Sequence, residues 1–378
     1  MSTSISIFSL LHNIKTLFAN RNEDGYVQPV LAIGPPGTAK TSFFNGPFRA
    51  ALSQLVNAPV ECIDQILSTM EPPDVRGLPI PDKSNPGMPR YLYAMPSIIA
   101  RVYESEAYKA GGWVILNLDE VTQCEYSMQK VMSDLVLNYR IGDYKLPERC
   151  WIVMTGNRLS DNSGVQRQLA MLTNRLVRYE VMLPIDNWVR YANEITLPPL
   201  AIAFAERFPE HFADAVPPRD GAFCTYRSFT GLAKYLKSYN TVHNKDITHI
   251  EDNDFTRATA RGLIGEAATL EFFAFCKVAE HLPSRKDILN HPDTAPVPDQ
   301  WQIDAQYAAC AMAVSIAREN HLHVAPAIKY LMRIPTIELT VKAVVDLNKH
   351  SGGAITMNNP DAAKWLIQHR ALVTDALV

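Results

Sequence analysis

The sequence predicts an α/β fold built on a parallel sheet and followed by a mainly helical region. Two observations carry this. Apolar strand-like runs alternate with helical patterns up to about residue 183, and strands alternating with helices imply βαβ units. Beyond about residue 185 strand signals nearly stop, and apolar residues recur at helical spacing.

Each element follows from its local pattern. Ile5, Ile7, Phe8, Leu11, Ile14, Leu17 and Phe18 mostly fit a helix. No basic region precedes the apolar Ile5 to Leu11 stretch, so a packed helix is expected rather than a signal peptide. The expected strands are residues 28–33, 60–63, 113–118, 151–155 and 176–183. Between the third and fourth, Met128, Val131, Met132, Leu135 and Val136 form a helical stripe, and residues 139–146 read as a hairpin turning on Gly142-Asp143. Helices are then expected over 200–208, 229–236, 263–278, 305–316, 325–332 and 362–367. Pro283, Pro292, Pro296 and Pro298 predict an irregular or extended segment over 283–300. The run Phe272-Phe273-Ala274-Phe275 reads as core or subunit interface.

Composition narrows the function. The chain has 378 residues, 47% apolar and 20% charged, as in a soluble globular protein of two or three domains. A net charge of −3 without a block of Lys and Arg implies no general attraction to nucleic acid or anionic membranes. No run of about 18 apolar residues predicts a membrane span. The six cysteines are scattered without a C-x-x-C, and read as small buried residues in a reducing compartment, the cytoplasm.

The chemistry-bearing residues begin with Gly34-Pro35-Pro36-Gly37-Thr38-Ala39-Lys40-Thr41. This run, continued by Ser42, is a phosphate-binding loop of the form G-x-x-x-x-G-K-[ST], with Ala39 where the second glycine usually stands. Backbone N–H groups and the following helix N-terminus favour phosphate; Lys40 would reach the β- and γ-phosphates, and Thr41 would help hold Mg²⁺. Ala39 is expected to take the right-handed angles of a residue entering that helix. An apolar run, Trp113 to Leu118, ends in Asp119-Glu120 and puts two carboxylates at the C-terminal edge of the sheet. Asp119 would hold Mg²⁺, and Glu120 would orient and polarise the attacking water. Asn117 interrupts that run, and a buried amide there needs partners. A further apolar strand ends in Thr155-Gly156-Asn157; if adjacent to the first, it puts Asn157 between the γ-phosphate and the water. Arg175, before the last strand, could act in trans on a neighbour's nucleotide, with Arg178 its competitor. Arg227 lies about 200° round its helix from Phe229, off the apolar stripe Phe229, Leu232, Ala233 and Leu236, and could reach a phosphate. His321-Leu322-His323 could be two metal ligands on a strand, but no second cluster accompanies it.

In order and spacing these residues resemble an AAA+ ATPase, and within that superfamily the MoxR group. Walker A lies at 34–41, Walker B at 115–120, sensor 1 at Asn157, an arginine finger near Arg175 and sensor 2 at Arg227. The Ala39-Lys40 pair is typical of that group, residues 70–77 resemble the segment introducing a helix-2 insert, and the 139–146 hairpin sits where the insert before sensor 1 belongs. The resemblance covers roughly residues 1–280, and the chain also resembles phage or prophage members.

It implies a P-loop AAA+ αβα sandwich with a five-stranded parallel sheet (1–190), a helical lid (191–282) and a C-terminal helical extension (283–378). It further implies a Mg²⁺-dependent ATPase acting as a ring, usually hexameric, that remodels a protein partner, often one with a von Willebrand factor A domain. Val121-Thr122-Gln123-Cys124 and Asn174-Arg175-Leu176 depart from the group's usual Ile-Asn-Arg-Ala and Asp-Arg-Phe. The alternative on the same core is a nucleic-acid motor or loader, which the acidic balance disfavours.

Overall fold

A computed structural model describes residues 4–82, 84, 87, 90–161, 176–213, 221–278, 281–351, 353 and 359–377. Its strands are β1 (Ile5–Ser6), β2 (Val30–Ile33), β3 (Val60–Ile66), β4 (Pro79–Asp82), β5 (Arg90–Tyr93), β6 (Trp113–Asp119), β7 (Arg140–Ile141), β8 (Tyr144–Lys145), β9 (Cys150–Gly156) and β10 (Val177–Met182). The described residues divide into two compact units, Met1–Pro184 with Ala213–Pro217, and Ile185–Phe212 with Pro218–Val378.

In the first unit a parallel sheet runs β1-β10-β2-β9-β6-β3. All five expected strands are present, but the sheet has six. The added strand corrects the N-terminal reading: Ile5–Ser6 is extended and pairs with Val181 and Met182, and Ile7 N–H donates to Met182 O at 2.9 Å. Without it β10 would present an unpaired edge. Helix begins only afterwards, over Ser9–His12 and Ile14–Ala19.

The strands are apolar on both faces because helices cover both. Val30, Ala32, Ile115, Trp151, Val153 and Val181 pack on one face with Ile7, Leu10, Leu17, Phe43, Phe44 and Phe48. Leu31, Ile33, Leu116, Leu118, Ile152 and Met154 pack on the other with Ile98, Ile99, Val102, Met128, Met132 and Leu135. Side chains alternate along a strand. Asn117, Asp119 and Thr155 therefore share the first face with the helix that follows the phosphate loop. That helix runs Lys40–Phe43, then a π turn Phe44–Phe48, then Arg49–Val56; Pro47, which has no N–H to donate, sits inside the π turn.

The expected hairpin forms as β7 and β8. A second hairpin, β4–β5, was not among the expected elements; its Pro79 and Pro81 are tolerated because a strand with a free edge need not donate at every position. Its pairs are Pro79↔Tyr93, Ile80↔Leu92, Pro81↔Tyr91 and Asp82↔Arg90, and both faces are exposed, Ile80 at 52% and Tyr91 at 69%.

The second unit is helical. Phe272, Phe273 and Phe275 are buried with Phe204 and Phe229 in one aromatic cluster, so the run is core. The single helix expected over 263–278 is two, Asp254–Ile264 and Glu266–Val278, parted at Gly265 with φ 82. Within the proline-rich segment Arg285–Asn290 is a helix, because Ser284 and Asp287 cap its N-terminus reciprocally. His321–His323 forms a 3₁₀ turn rather than a strand. Ile185–Glu194, Ile337–His350 and Arg370–Leu377 are helices the periodicity reading missed. The helices Pro199–Arg207 and Ile303–Glu319 pack together, and Arg207 Nε meets Asp304 Oδ1 at 2.6 Å. Lys342 Nζ bridges Asp186 at 2.6 Å and Glu206 at 2.9 Å. No helix among the described residues is long and apolar enough to cross a membrane.

Candidate active site

The phosphate loop occupies the turn between β2 and the helix beginning at Lys40, with β10 and β9 on either side of β2. Gly34 N–H donates to Gly156 O at 3.2 Å, and a Cβ on Gly34 would collide with the Val181 carbonyl oxygen. The loop leaves the sheet here because only glycine fits beneath β10. Gly34 and Pro35 are buried, Pro36 and Gly37 half-buried, and Ser42 exposed in the first turn of the helix. The Thr38 hydroxyl donates to Pro35 O at 2.7 Å and closes the loop on itself.

Lys40 is 8% exposed. Its ammonium donates to Gly34 O at 2.9 Å, Pro35 O at 2.7 Å, Thr38 Oγ1 at 3.4 Å and Asn157 Oδ1 at 3.3 Å. These four acceptors are neutral oxygens that orient the ammonium. The adjacency of β9 to β2 brings Asn157 Oδ1 to the Lys40 ammonium.

Ala39 does not take right-handed helical angles. It lies at φ 56, ψ 26, in the left-handed region, which explains why the pattern ordinarily has glycine there. A non-glycine residue pays about 1–2 kcal/mol for that conformation, while glycine adds about 0.5–1 kcal/mol of unfolded-chain entropy. Ala39→Gly should therefore keep or raise the thermal midpoint by up to a few degrees. Ala39→Val, β-branched at positive φ, should lower it, and differential scanning calorimetry reads both.

Asp119 is held at each oxygen. Thr41 Oγ1 donates to Oδ2 at 2.6 Å, Glu120 N–H donates to Oδ1 at 2.9 Å, and the buried Thr155 hydroxyl donates to Oδ1 as well. A hydroxyl and a carboxylate in contact form a hard-oxygen pair of the kind Mg²⁺ takes alongside phosphate, so this donor set fits the ion. Glu120 has left-handed angles, φ 59 and ψ 30. That kink turns its side chain off the strand, where the carboxylate accepts from the Ser68 hydroxyl.

Beneath these groups lies a polar layer that sequence reasoning did not assign. Asn117 is fully buried; its Nδ2 donates to Asp64 Oδ1 at 2.6 Å, and Asn45 Nδ2 donates to Asp64 Oδ2 at 2.5 Å. Asp64 thus ties β6 to the π turn after the loop. The register Asp64↔Asn117 supplies an acceptor for Asn117 Nδ2, while its buried Oδ1 meets no donor among the described residues; two polar residues facing each other across neighbouring strands were the available signal. Burial pushes the thiols of Cys62 and Cys124 up to about 12, with Asp64 and Glu120 respectively adding to it, so neither is a nucleophile near neutral pH.

Lys40, Thr41, Asp119, Glu120 and Asn157 are therefore gathered at the C-terminal edge of one sheet. Arg178 is exposed on β10. Arg227 belongs to the helical unit, exposed in the first turn of Tyr226–Val242, whose stripe Phe229, Leu232, Ala233 and Leu236 is buried as expected. Arg175 lies outside the described residues.

No family model matches the sequence, and no curated protein matches it. Among solved structures the backbone is similar to the RuvB Holliday junction branch migration motor of Thermotoga maritima. That match has a TM-score of 0.39 and 14% identity, covering 73% of this chain and 75% of that one. It is also similar to NtrX of Brucella abortus, with a TM-score of 0.38 and 15% identity over 91% of this chain and 68% of that one.

Proposed function

We propose that this chain is an AAA+ ATPase of the MoxR type that hydrolyses ATP. The observation that carries the reading is the convergence of the Lys40 ammonium, the Thr41–Asp119 pair, Glu120 and Asn157 around one phosphate-sized loop. Lys40 and the loop amides bind the phosphates. Thr41 and Asp119 hold Mg²⁺, which when bound supplies charge neutralisation at the phosphate oxygens. Glu120 and Asn157 orient a water. Its oxygen bonds to the γ-phosphorus, the bond to the β–γ bridging oxygen breaks, and a water proton passes to Glu120. Catalysis is then positioning plus charge stabilisation. A phosphate-release assay with ATP and Mg²⁺ tests this; no release above background at any protein concentration would refute hydrolysis.

The finer reading is a ring, with residues 191–282 as lid, Arg227 reaching phosphate from it, 283–378 as extension, and Arg175 of one subunit completing a neighbour's site. Arg175→Ala should keep ATP affinity within a few-fold and lose turnover about 10³-fold, and an assembled ring of that variant with normal turnover would remove the finger. The work done is remodelling of a protein partner, such as one with a von Willebrand factor A domain. Support comes from the β4–β5 hairpin, which exposes Leu78, Ile80, Tyr91, Leu92 and Tyr93, since exposed apolar patches mark protein contact. The net charge of −3 disfavours a nucleic-acid motor. Filter binding at low and moderate salt, with and without ATP, separates the two.

A further inference from the structure

Two strand exits flank the position assigned to the water, and one side chain joins them. Thr122 stands in the 3₁₀ turn Val121–Gln123 that follows Glu120, and it is 2% exposed. Its Oγ1 accepts the backbone N–H of Asn157 at 2.9 Å. Its Cβ, Oγ1 and Cγ2 fill the space a side chain on Gly156 would need. The same turn is closed at its start, where Gln123 N–H donates to Glu120 O at 2.9 Å and Cys124 Sγ approaches that oxygen at 3.6 Å. Asn157 in turn accepts from Lys40 Nζ at 3.3 Å. A continuous path therefore runs from the kinked Glu120 backbone through Thr122 to Asn157 and on to the phosphate loop.

We propose that Thr122 is a positioning residue that sets the spacing between Glu120 and Asn157. This rests on the ATPase reading above. The hydroxyl acts as an acceptor, fixing the Asn157 backbone, while the methyl group and Gly156 together determine how closely β9 and β6 can end. A buried threonine that served only to fill space could be replaced by its isostere valine with little effect. A positioning hydroxyl could not, because valine leaves the Asn157 N–H without its acceptor and the Asn157 side chain free to shift from the water.

The test compares the full-length protein with Thr122→Val and Thr122→Ser, measuring kcat, ATP dissociation constant by calorimetry, and thermal midpoint. For Thr122→Val we expect kcat to fall at least tenfold while the dissociation constant changes less than threefold and the midpoint stays within a few degrees. Thr122→Ser retains the acceptor and should recover kcat to within about threefold of the parent. Amide hydrogen exchange at Asn157 should accelerate in Thr122→Val alone. Unchanged kcat in Thr122→Val, or a serine variant as slow as the valine one, overturns the proposal while leaving ATP hydrolysis intact. A parent protein that hydrolyses no ATP overturns the ATPase reading itself, and if exchange at Asn157 still accelerates in Thr122→Val, the hydroxyl's contact stands without its catalytic meaning.

Discussion

Lys40→Ala should weaken ATP binding by about 100-fold or more, the loss expected when a charge-assisted contact worth about 3 kcal/mol is removed. The expectation comes from how the ammonium is held. Gly34 O and Pro35 O fix it at 2.9 and 2.7 Å beneath the loop, so its position is set before any phosphate arrives and little ordering is left for binding. The same contacts give the side chain a second task. It staples the two ends of the loop and reaches Asn157 on β9, so the alanine variant should also lose some stability without nucleotide. The two effects separate in a thermal scan. The parent should gain about 2.7 kcal/mol at an ATP concentration 100 times its dissociation constant, whereas Lys40→Ala should start lower and gain almost nothing. Lys40→Arg is expected to fail as well, because a planar guanidinium cannot place its donors on two successive carbonyls as a compact ammonium does. Undiminished ATP affinity in Lys40→Ala would mean that the loop does not bind phosphate.

How far this could be read from sequence depends on whether a residue's partner is local. The loop, the acidic strand end and Asn157 were visible because each follows an apolar run, and a parallel sheet gathers strand ends at one edge. Their supports were not visible. Ser68, Thr155, Asp64 and Thr122 contact residues 35 to 53 positions away, and nothing in a threonine's own neighbourhood says which strand will lie beside it. The Ala39 backbone was misjudged for a related reason: propensity favours alanine in helices, but the loop must reverse direction before the helix begins, and that geometry overrides a weak local preference. The β1 strand escaped notice because two residues carry no period; it exists only because β10 has an edge to fill.

Glu120→Gln should bind ATP within a few-fold of the parent and lose turnover by about 10²–10⁴-fold, the range for removal of a general base. The substitution preserves shape. Glutamine can keep the contact with the Ser68 hydroxyl that the carboxylate makes now, and the left-handed backbone at φ 59 and the N–H donated to Asp119 do not depend on the side-chain charge. Binding should therefore survive, since the phosphate-contacting groups are Lys40, the loop amides and Thr41. What is lost is the ability to accept a proton as the water attacks. Single-turnover kinetics is the decisive measurement, because it isolates chemistry from product release. A chain that uses ATP only as a structural ligand would already be slow, and the glutamine variant would match it. A fast parent and a slow variant of equal affinity place the defect in the chemical step. Equal rates at a fast parent would instead move the base elsewhere. Asp119 is a poor substitute for it, because Thr41, Thr155 and the Glu120 N–H already engage both of its oxygens, whereas the Glu120 carboxylate accepts from the exposed Ser68 hydroxyl, a contact that can be exchanged for a water.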